Sequence, residues 1–595
     1  RGCVQALNRR IKKRIFRIYR AKPKITGVNA NFLEKIINAQ EFTKYLPQKF
    51  NDKNWLIKQA DLAASSCFDI LGSGEKCFKK IPWQKDFKAF EHENVCKSDW
   101  QDTPNMFYQD INISCPDKIG LDLYNPDAKI PWELSRFQHA FILGKAYQIA
   151  EQDNNIDSCA RYRTAFENQV SDWITNNPFP YGISWMCPMD VAIRAINLIW
   201  GFYFFKDISI SSKNLLLQSL LNHARYLEWN WETSDKPNNH YISDLVGYLY
   251  LSVFFNFKNR SWCVKKILEQ FFHQIHPDGT SYEGSSAYHA LDVELFLHFK
   301  LICQACKISL PEEFLSRFEK MTEFLRLCTI PDGLIQVGDN DGGKIVTGIW
   351  FEPPAVMAGT HHERHAHVKN YPDFGLVIVK KSGWHITFRY HNFIEQQPTG
   401  HFHQDALSIT LCVDDVPVLI DPGTYLYTAN NSWRNIMRSW HMHNTFNIFN
   451  SDKIECDLFQ LPIKPQASLA QINQSDNLIQ ITANSYSIAT RTLEFNTETR
   501  CLTIEDWWDV KKKINSEWNL IFNPELKLKK QNNFCWVIER EKIPLLEIYS
   551  DLEFTLNSGF YSKSYGFIKA CPKLTSTKLV FNEKQKITLR QLTQA

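Results

Sequence analysis

Three groups of side chains in this sequence combine residue types and spacings that could move protons, hold a metal or receive an anion. The first is Asn238-Asn239-His240-Tyr241, which follows Pro237 and opens an apolar helical pattern running through Asp244 to Tyr250. An asparagine in that place caps a helix, its side-chain oxygen accepting a backbone N–H. Capping accounts for one asparagine and leaves an amide and an imidazole side by side. The second group is Asp278-Gly-Thr-Ser-Tyr-Glu283-Gly-Ser-Ser-Ala-Tyr288-His289. A turn delivers Glu283, and Tyr288 then stands at the head of the apolar helix Leu291 to Ile302. A tyrosine there could simply pack a core, but it can also exchange a proton if nearby cations lower its pKa. The third group is the densest: Gly400-His401-Phe402-His403-Gln404-Asp405, then Asp421-Pro422-Gly423, then His441-Met442-His443-Asn444-Thr445. Residues two apart on a strand share a face, so His401 and His403 are expected to point into one site. Two histidines and a carboxylate from separate strands form a divalent-metal set, with zinc the first choice for imidazole-rich ligation.

These groups are far apart in the chain and need tertiary structure to meet. Up to about residue 350 the pattern is mostly helical. Ser135 to Gln152, Asp190 to Phe205 and Ser212 to Trp231 carry apolar residues at three- and four-residue spacing. Connectors such as Asn176-Asn177-Pro178, Asp235-Lys236-Pro237, Pro277-Asp278-Gly279 and Pro331-Asp332-Gly333 separate them. Successive amphipathic helices suggest paired helices wound into a toroid or solenoid, with no clean repeat to fix the number of turns. Beyond the histidine-rich stretch 361–367 the runs become short and β-branched: Phe374-Gly-Leu-Val-Ile-Val, Trp384-His-Ile-Thr-Phe-Arg-Tyr, Leu407-Ser-Ile-Thr-Leu-Cys-Val, Leu478-Ile-Gln-Ile-Thr and Leu502-Thr-Ile-Glu-Asp. They predict an all-β domain of sandwich type, with the boundary between 355 and 370 and a cleft between the halves as the place for a ligand.

Composition narrows the function classes. A chain of 595 residues is too long for one ordinary core. The 18 tryptophans and 22 tyrosines suit a sugar-binding cleft, although most such rings pack cores. A net charge of +4 gives no support to a nucleic-acid role. The exception is local: residues 1–24 interleave Arg9, Arg10, Lys12, Lys13, Arg14, Arg17, Arg20 and Lys22 with apolar residues. They read as a basic amphipathic segment able to touch an anionic surface, or as a solvated entry helix. No apolar run approaches the ~20 residues that span a bilayer, and no secretory h-region is visible. The 16 cysteines hold a single CxxC, Cys303-Gln-Ala-Cys306, with no second one to pair with it. Neither a zinc ribbon nor a disulfide framework is expected, and a reducing compartment fits them slightly better.

Taken together, the three groups resemble the heparinase II/III superfamily of polysaccharide lyases over most of the chain. The most specific part is Gly400 to Asp405, the strand Leu407 to Val413, Val418-Leu-Ile-Asp421-Pro-Gly-Thr-Tyr425, and Arg438-Ser439 leading into His443-Asn444-Thr445. Trp132-Glu133-Leu134-Ser135-Arg136, Trp185 and Asp190-Val-Ala-Ile-Arg194 resemble the helical half of such lyases. The fold this implies is multidomain α+β, with an incomplete (α/α) toroid over 25–360 followed by an antiparallel β-sandwich over 361–595.

The resemblance also implies roles. Asn239 contacts a uronate carboxylate with His240 assisting, Tyr288 is the general acid and could also be the base, and His401 is a further catalytic candidate. His403, Asp421 and His443 map onto the ligands of a structural zinc, with His441 as the rival to His443. Trp185, Arg194, Glu283, Arg434 and Arg438 are the substrate-binding candidates, Arg136 being a further cation for sulfate. The implied reaction is β-elimination on a uronic-acid glycan, heparan-sulfate-like or another acidic polysaccharide, in a periplasmic or secreted setting. The alternatives are an alginate-type lyase, a non-catalytic glycan-binding or assembly protein of a bacterial surface-polysaccharide system, and, third, a glycoside hydrolase using Glu283 and Asp244.

Overall fold

The computed structural model describes residues 27–46, 48–72, 74–93, 95, 106–107, 121–346, 367–391, 400–448, 461, 467–485 and 488–592. The basic stretch 1–24 and most of the histidine-rich stretch lie outside the described residues. Twelve α-helices are described before residue 350: α1 Asn31–Ile37, α2 Gln40–Tyr45, α3 Lys53–Ala64, α4 Lys129–Ser135, α5 His139–Gln152, α6 Ile156–Asn176, α7 Pro188–Phe204, α8 Ile210–Trp229, α9 Asn239–Phe254, α10 Arg260–Gln274, α11 Ser286–Ala305 and α12 Glu312–Leu327. The single helix expected from Ser135 breaks at Arg136–Gln138, where Phe137 takes a φ of 59°.

Sequence pattern separates the helices into two layers. In α7, α9 and α11 apolar residues surround the helix, so nearly every side chain is buried. α6, α8, α10 and α12 carry one apolar face and expose the other. The contacts follow that division. Each inner helix packs on the next, α5 on α7, α7 on α9 and α9 on α11, and each has its outer partner beside it in sequence. α1 then touches α11 and α7. This two-layer winding agrees with the expected toroid. Burying each large apolar side chain along it contributes about 1.5–3 kcal/mol.

The carboxy-terminal half is antiparallel. A five-stranded meander spans 367–419, and an eight-stranded and a four-stranded sheet follow. The strand Leu478–Ser485 alternates buried and half-buried residues along its length. Adjacent strands align apolar residues, Leu502 opposite Leu589 and Ile504 opposite Ile587. A single core joins Val377, Ile386 and Leu411 of the meander to Phe446, Trp518, Ile481 and Leu589 of the other sheets. The passage from helix to sheet falls between Val346 and His367, mostly outside the described residues. A smaller core holds the halves together, with Leu71, Phe87 and Tyr124 packed on Ile420, Met437, Ile521 and Tyr565.

One expectation from the cysteines is corrected. Cys67 and Cys77 face each other on paired strands and form a disulfide, ten residues apart in sequence. A lone hairpin bridge leaves no CxxC trace, and its presence removes the argument for a reducing compartment. No described helix is long and apolar enough to cross a membrane.

Candidate active site

Two neighbouring inner helices begin at the site. Asn238 caps α9, its side chain accepting the His240 N–H at 3.1 Å, which leaves Asn239 and His240 in the first turn. Ser285 caps α11 by accepting the Tyr288 N–H at 3.2 Å. Two helix N-termini therefore lie close together, and their dipoles favour an anion. The third element is a loop. His401 and His403 do not lie on a strand as expected, because residues 400–408 are irregular. The backbone still fixes them: the Asp339 N–H donates to the His401 carbonyl at 3.0 Å and the Ser286 N–H to that of Val337 at 3.0 Å. Gly338 (φ 68°) and Gly284 (φ 72°) sit where these loops touch, and an added Cβ would come 2.5 Å from the His401 carbonyl oxygen and 2.1 Å from the Phe402 ring.

The side chains meet around a few buried carboxylates. Glu283 accepts the Asn239 backbone N–H at 2.8 Å, and Asn239 Nδ2 lies 3.1 and 2.9 Å from its two oxygens. Glu283 is also 3.4 Å from His401 Nε2. The His401 ring lies flat on that of Tyr288, with centroids 3.6 Å apart. The Tyr288 hydroxyl donates to Asp341 at 3.0 Å and lies 3.3 Å from the Tyr427 hydroxyl. Lys129 pairs with Asp341 at 2.7 Å. Behind the site Asp339 receives His401 Nδ1 at 3.1 Å, His403 Nε2 at 2.9 Å and both arms of Arg434, one of them at 2.6 Å.

These contacts set the charge states. Burial raises the Tyr288 pKa, and the nearby Asp341 and Asp339 raise it further, well above the ordinary phenol value. The expectation that cations would lower it is thus reversed, and Tyr288 is held as a neutral proton donor. Burial alone would lower the pKa of His240, but Glu232, 3.0 Å from Nδ1, carries it up to about 9, so the ring is an imidazolium at neutral pH. Burial is likewise outweighed at Asp341, which Lys129 holds ionised with a pKa of about 2.

His403, Asp421 and His443 are all buried, and each offers a ligand atom within 4.8 Å of the others. His443 Nδ1 lies 2.9 Å from Asp421. Among the described residues His403 Nδ1 and His443 Nε2 are buried without a partner. Buried, orphaned imidazole nitrogens in a group with a carboxylate fit a metal ion, and the Asp339 contact fixes the His403 ring as an outer partner of a ligand does. These three residues could therefore hold a metal ion. The rival His441 is turned away, half exposed and paired with Glu517 at 3.0 Å.

Several expected substrate contacts are not on the cleft surface. Arg194 is fully buried, with Nε on His223 at 2.9 Å and its guanidinium over Trp173 and Trp185. Burial pushes its pKa down to about 9. Trp185 is just as buried and donates to the Asn177 carbonyl. Both build the toroid's interior, correcting their assignment as substrate contacts. Arg136 is spent on Glu133 and Asp190, and Arg438 is buried against Asn435. Arg434 and Glu283 belong to the site as positioning groups, through Asp339 and Asn239.

Sequence reasoning missed Asp339, Asp341, Tyr427, Lys129 and Glu232. The run Gly338-Asp339-Asn340-Asp341-Gly342-Gly343 carried a signal: two carboxylates two residues apart in a glycine-rich turn. Glu232 had none, lying in an ordinary linker.

The heparinase II/III N-terminus family model matches residues 38–344, and the heparinase II/III-like C-terminal model matches 363–580. The chain belongs to the heparinase II/III family. A heparin-sulfate lyase of Pedobacter heparinus is 21% identical over 363 residues, covering 55% of this chain and 53% of that protein. The match thus spans about half the length of that curated relative. A crystal structure of heparinase III has the same fold, with a TM-score of 0.60, 15% identity and 95% and 94% of the two chains covered. A mutant of the heparan sulfate lyase HepC from Pedobacter heparinus gives a TM-score of 0.54 at 17% identity, covering 90% and 82%. The helical half and the antiparallel sheets of this heparinase II/III chain both match these folds.

Proposed function

We propose that this heparinase II/III chain is a polysaccharide lyase that cleaves a uronic-acid glycan of heparan-sulfate type by β-elimination. The observation that carries the reading is the stacked pair: a neutral, buried Tyr288 phenol lies against a histidine whose Nδ1 rests on a carboxylate. The C5 proton of a uronate is weakly acidic, so the substrate carboxylate must be neutralised as the carbanion forms. The His240 imidazolium, the Asn239 amide and two helix N-termini supply that positive field. Asp339 accepts Nδ1–H of His401 and leaves Nε2 to take the C5 proton, with Glu283 close enough to stabilise the imidazolium that results. Tyr288 gives its proton to the leaving O4 oxygen. The raised pKa of Tyr288 speaks against its serving as the base as well.

None of the four arginine candidates offers a guanidinium to a sulfate, so recognition at the centre of the site rests on the carboxylate. The names of the relatives support heparan sulfate ahead of alginate. The test is ultraviolet absorbance of unsaturated uronate product on heparan sulfate, heparin, chondroitin sulfate, hyaluronan and alginate. A rise on heparan sulfate supports the reading, a rise on alginate alone replaces it with the alginate-type lyase, and none on any polymer favours the non-catalytic alternative.

Zinc is the metal we assign to His403, Asp421 and His443, because a set with two imidazoles suits it better than a hard cation. When bound it would cross-link the 400–408 loop to the sandwich. His403→Ala should lower metal content and melting temperature together, as read by metal analysis and calorimetry. A metal-replete, equally stable variant would remove the assignment.

A further inference from the structure

A second group of ligating side chains lies on the other face of His240. Cys187, Glu232 and His240 each offer a ligand atom within 4.8 Å of the others. Cys187 Sγ is 3.9 Å from Glu232 Oε2, and His240 Nδ1 is 3.0 Å from the same oxygen. Tetrahedral coordination at ordinary zinc–sulfur, –nitrogen and –oxygen distances places neighbouring ligand atoms about 3.3–3.8 Å apart, so small side-chain shifts would seat an ion. The group is also anchored. Glu232 Oε2 accepts the Met189 N–H at 3.2 Å, and Asp244 Oδ2 accepts the Glu232 N–H at 2.8 Å.

Asp190 is neutralised by Arg136 and Glu232 by His240. Asp244 Oδ1 is buried and, among the described residues, has no hydrogen-bond partner. A divalent cation beside Glu232 would take the place of the protons on Cys187 and His240 Nδ1. A thiol, an imidazole and a carboxylate together select a thiophilic ion over magnesium or calcium. Cys187 is buried, but Glu232 and His240 keep side-chain exposures of 30% and 37%, which leaves an approach from the cleft.

We propose that Cys187, Glu232 and His240 form a second metal site that takes a thiophilic divalent cation such as zinc or cadmium, separate from the His403 group. Binding displaces the Cys187 thiol proton and the His240 Nδ1 proton to solvent and forms metal–sulfur and metal–nitrogen bonds, so that the cation takes over the positive charge of the imidazolium. With the ion on His240 Nδ1, the other ring nitrogen keeps its proton, so the ring is fixed as a donor.

Cadmium is the probe, since a cadmium–thiolate bond has its own ultraviolet charge-transfer band and the His403 group contains no sulfur. Titrating the full chain with cadmium should raise that band to one equivalent. His403→Ala should keep the band, and both Cys187→Ser and Cys187→Ala should lose it while their circular dichroism and melting stay those of the parent. Glu232→Gln should weaken the cadmium affinity by about 10–100-fold without abolishing the band. Absence of the band in the parent, or its persistence in folded Cys187→Ser, would overturn the proposal. The readout does not involve turnover, so an inactive protein would still decide it.

Discussion

Two buried arginine–aspartate pairs serve opposite ends. In the sandwich, Arg491 gives Nε and one terminal nitrogen to Asp506 at 2.7 and 2.8 Å. Its other terminal nitrogen goes to the Leu407 and Asn444 carbonyls. Trp518 donates to Asp506 at 2.9 Å. The pair is closed, its bonds turned inward between strands and loops. At the cleft, Asp339 is held by Arg434 just as firmly, yet it also receives His401, His403 and the Thr424 hydroxyl. Arginine outweighs burial there and keeps Asp339 well below the ordinary carboxylate range. The same chemical unit is a cross-link where its bonds close on the fold. It becomes part of a machine where it has acceptor capacity left for histidines that act elsewhere.

That contrast can be broken by mutation. The largest effect belongs to the ring stacked on the histidine that the open pair holds: Tyr288→Phe should lower kcat by about 10²–10⁴-fold with an unchanged melting temperature, because only a hydroxyl is lost. Arg491→Met should do the reverse. It strands Asp506 in the sandwich at a cost of about 3–5 kcal/mol, seen as a lower melting temperature, while the protein that remains folded turns over normally. Asp339→Asn falls between, with kcat and metal affinity each down about 10–100-fold, since one carboxylate orients both histidines. Equal sensitivity of stability to Asp339→Asn and Arg491→Met would erase the distinction. The smallest change is expected for Thr424→Val, where a long 3.4 Å contact to Asp339 and an accepted Asn340 N–H are lost. Calorimetry should register about 1 kcal/mol and kinetics little.

What could be read from the sequence follows the same division. Helical and strand periodicity identified both halves, because burial imposes periods that a chain must obey everywhere. Asn239 and Tyr288 were legible as candidates since unusual residues followed turn and capping signals, and His401 through its two-residue spacing from His403. Their partners were not: Asp339, Asp341 and Tyr427 sit in stretches that look like ordinary loops, and only tertiary contact gives them a task. The arginines misled for a related reason. A cation in a sequence suggests an anionic ligand, but Arg194 is turned inward, with Nε on His223, one terminal nitrogen on a carbonyl and its face on two indoles. Nothing local distinguishes that fate from an exposed one.

The most direct test of the account is mass spectrometry of the oligosaccharides released from heparan sulfate. Elimination predicts fragments one water lighter than those of hydrolysis, carrying an unsaturated uronate at the new non-reducing end, and their disappearance with Tyr288→Phe. Fully hydrated fragments, or unsaturated ones formed undiminished by Tyr288→Phe, would contradict it.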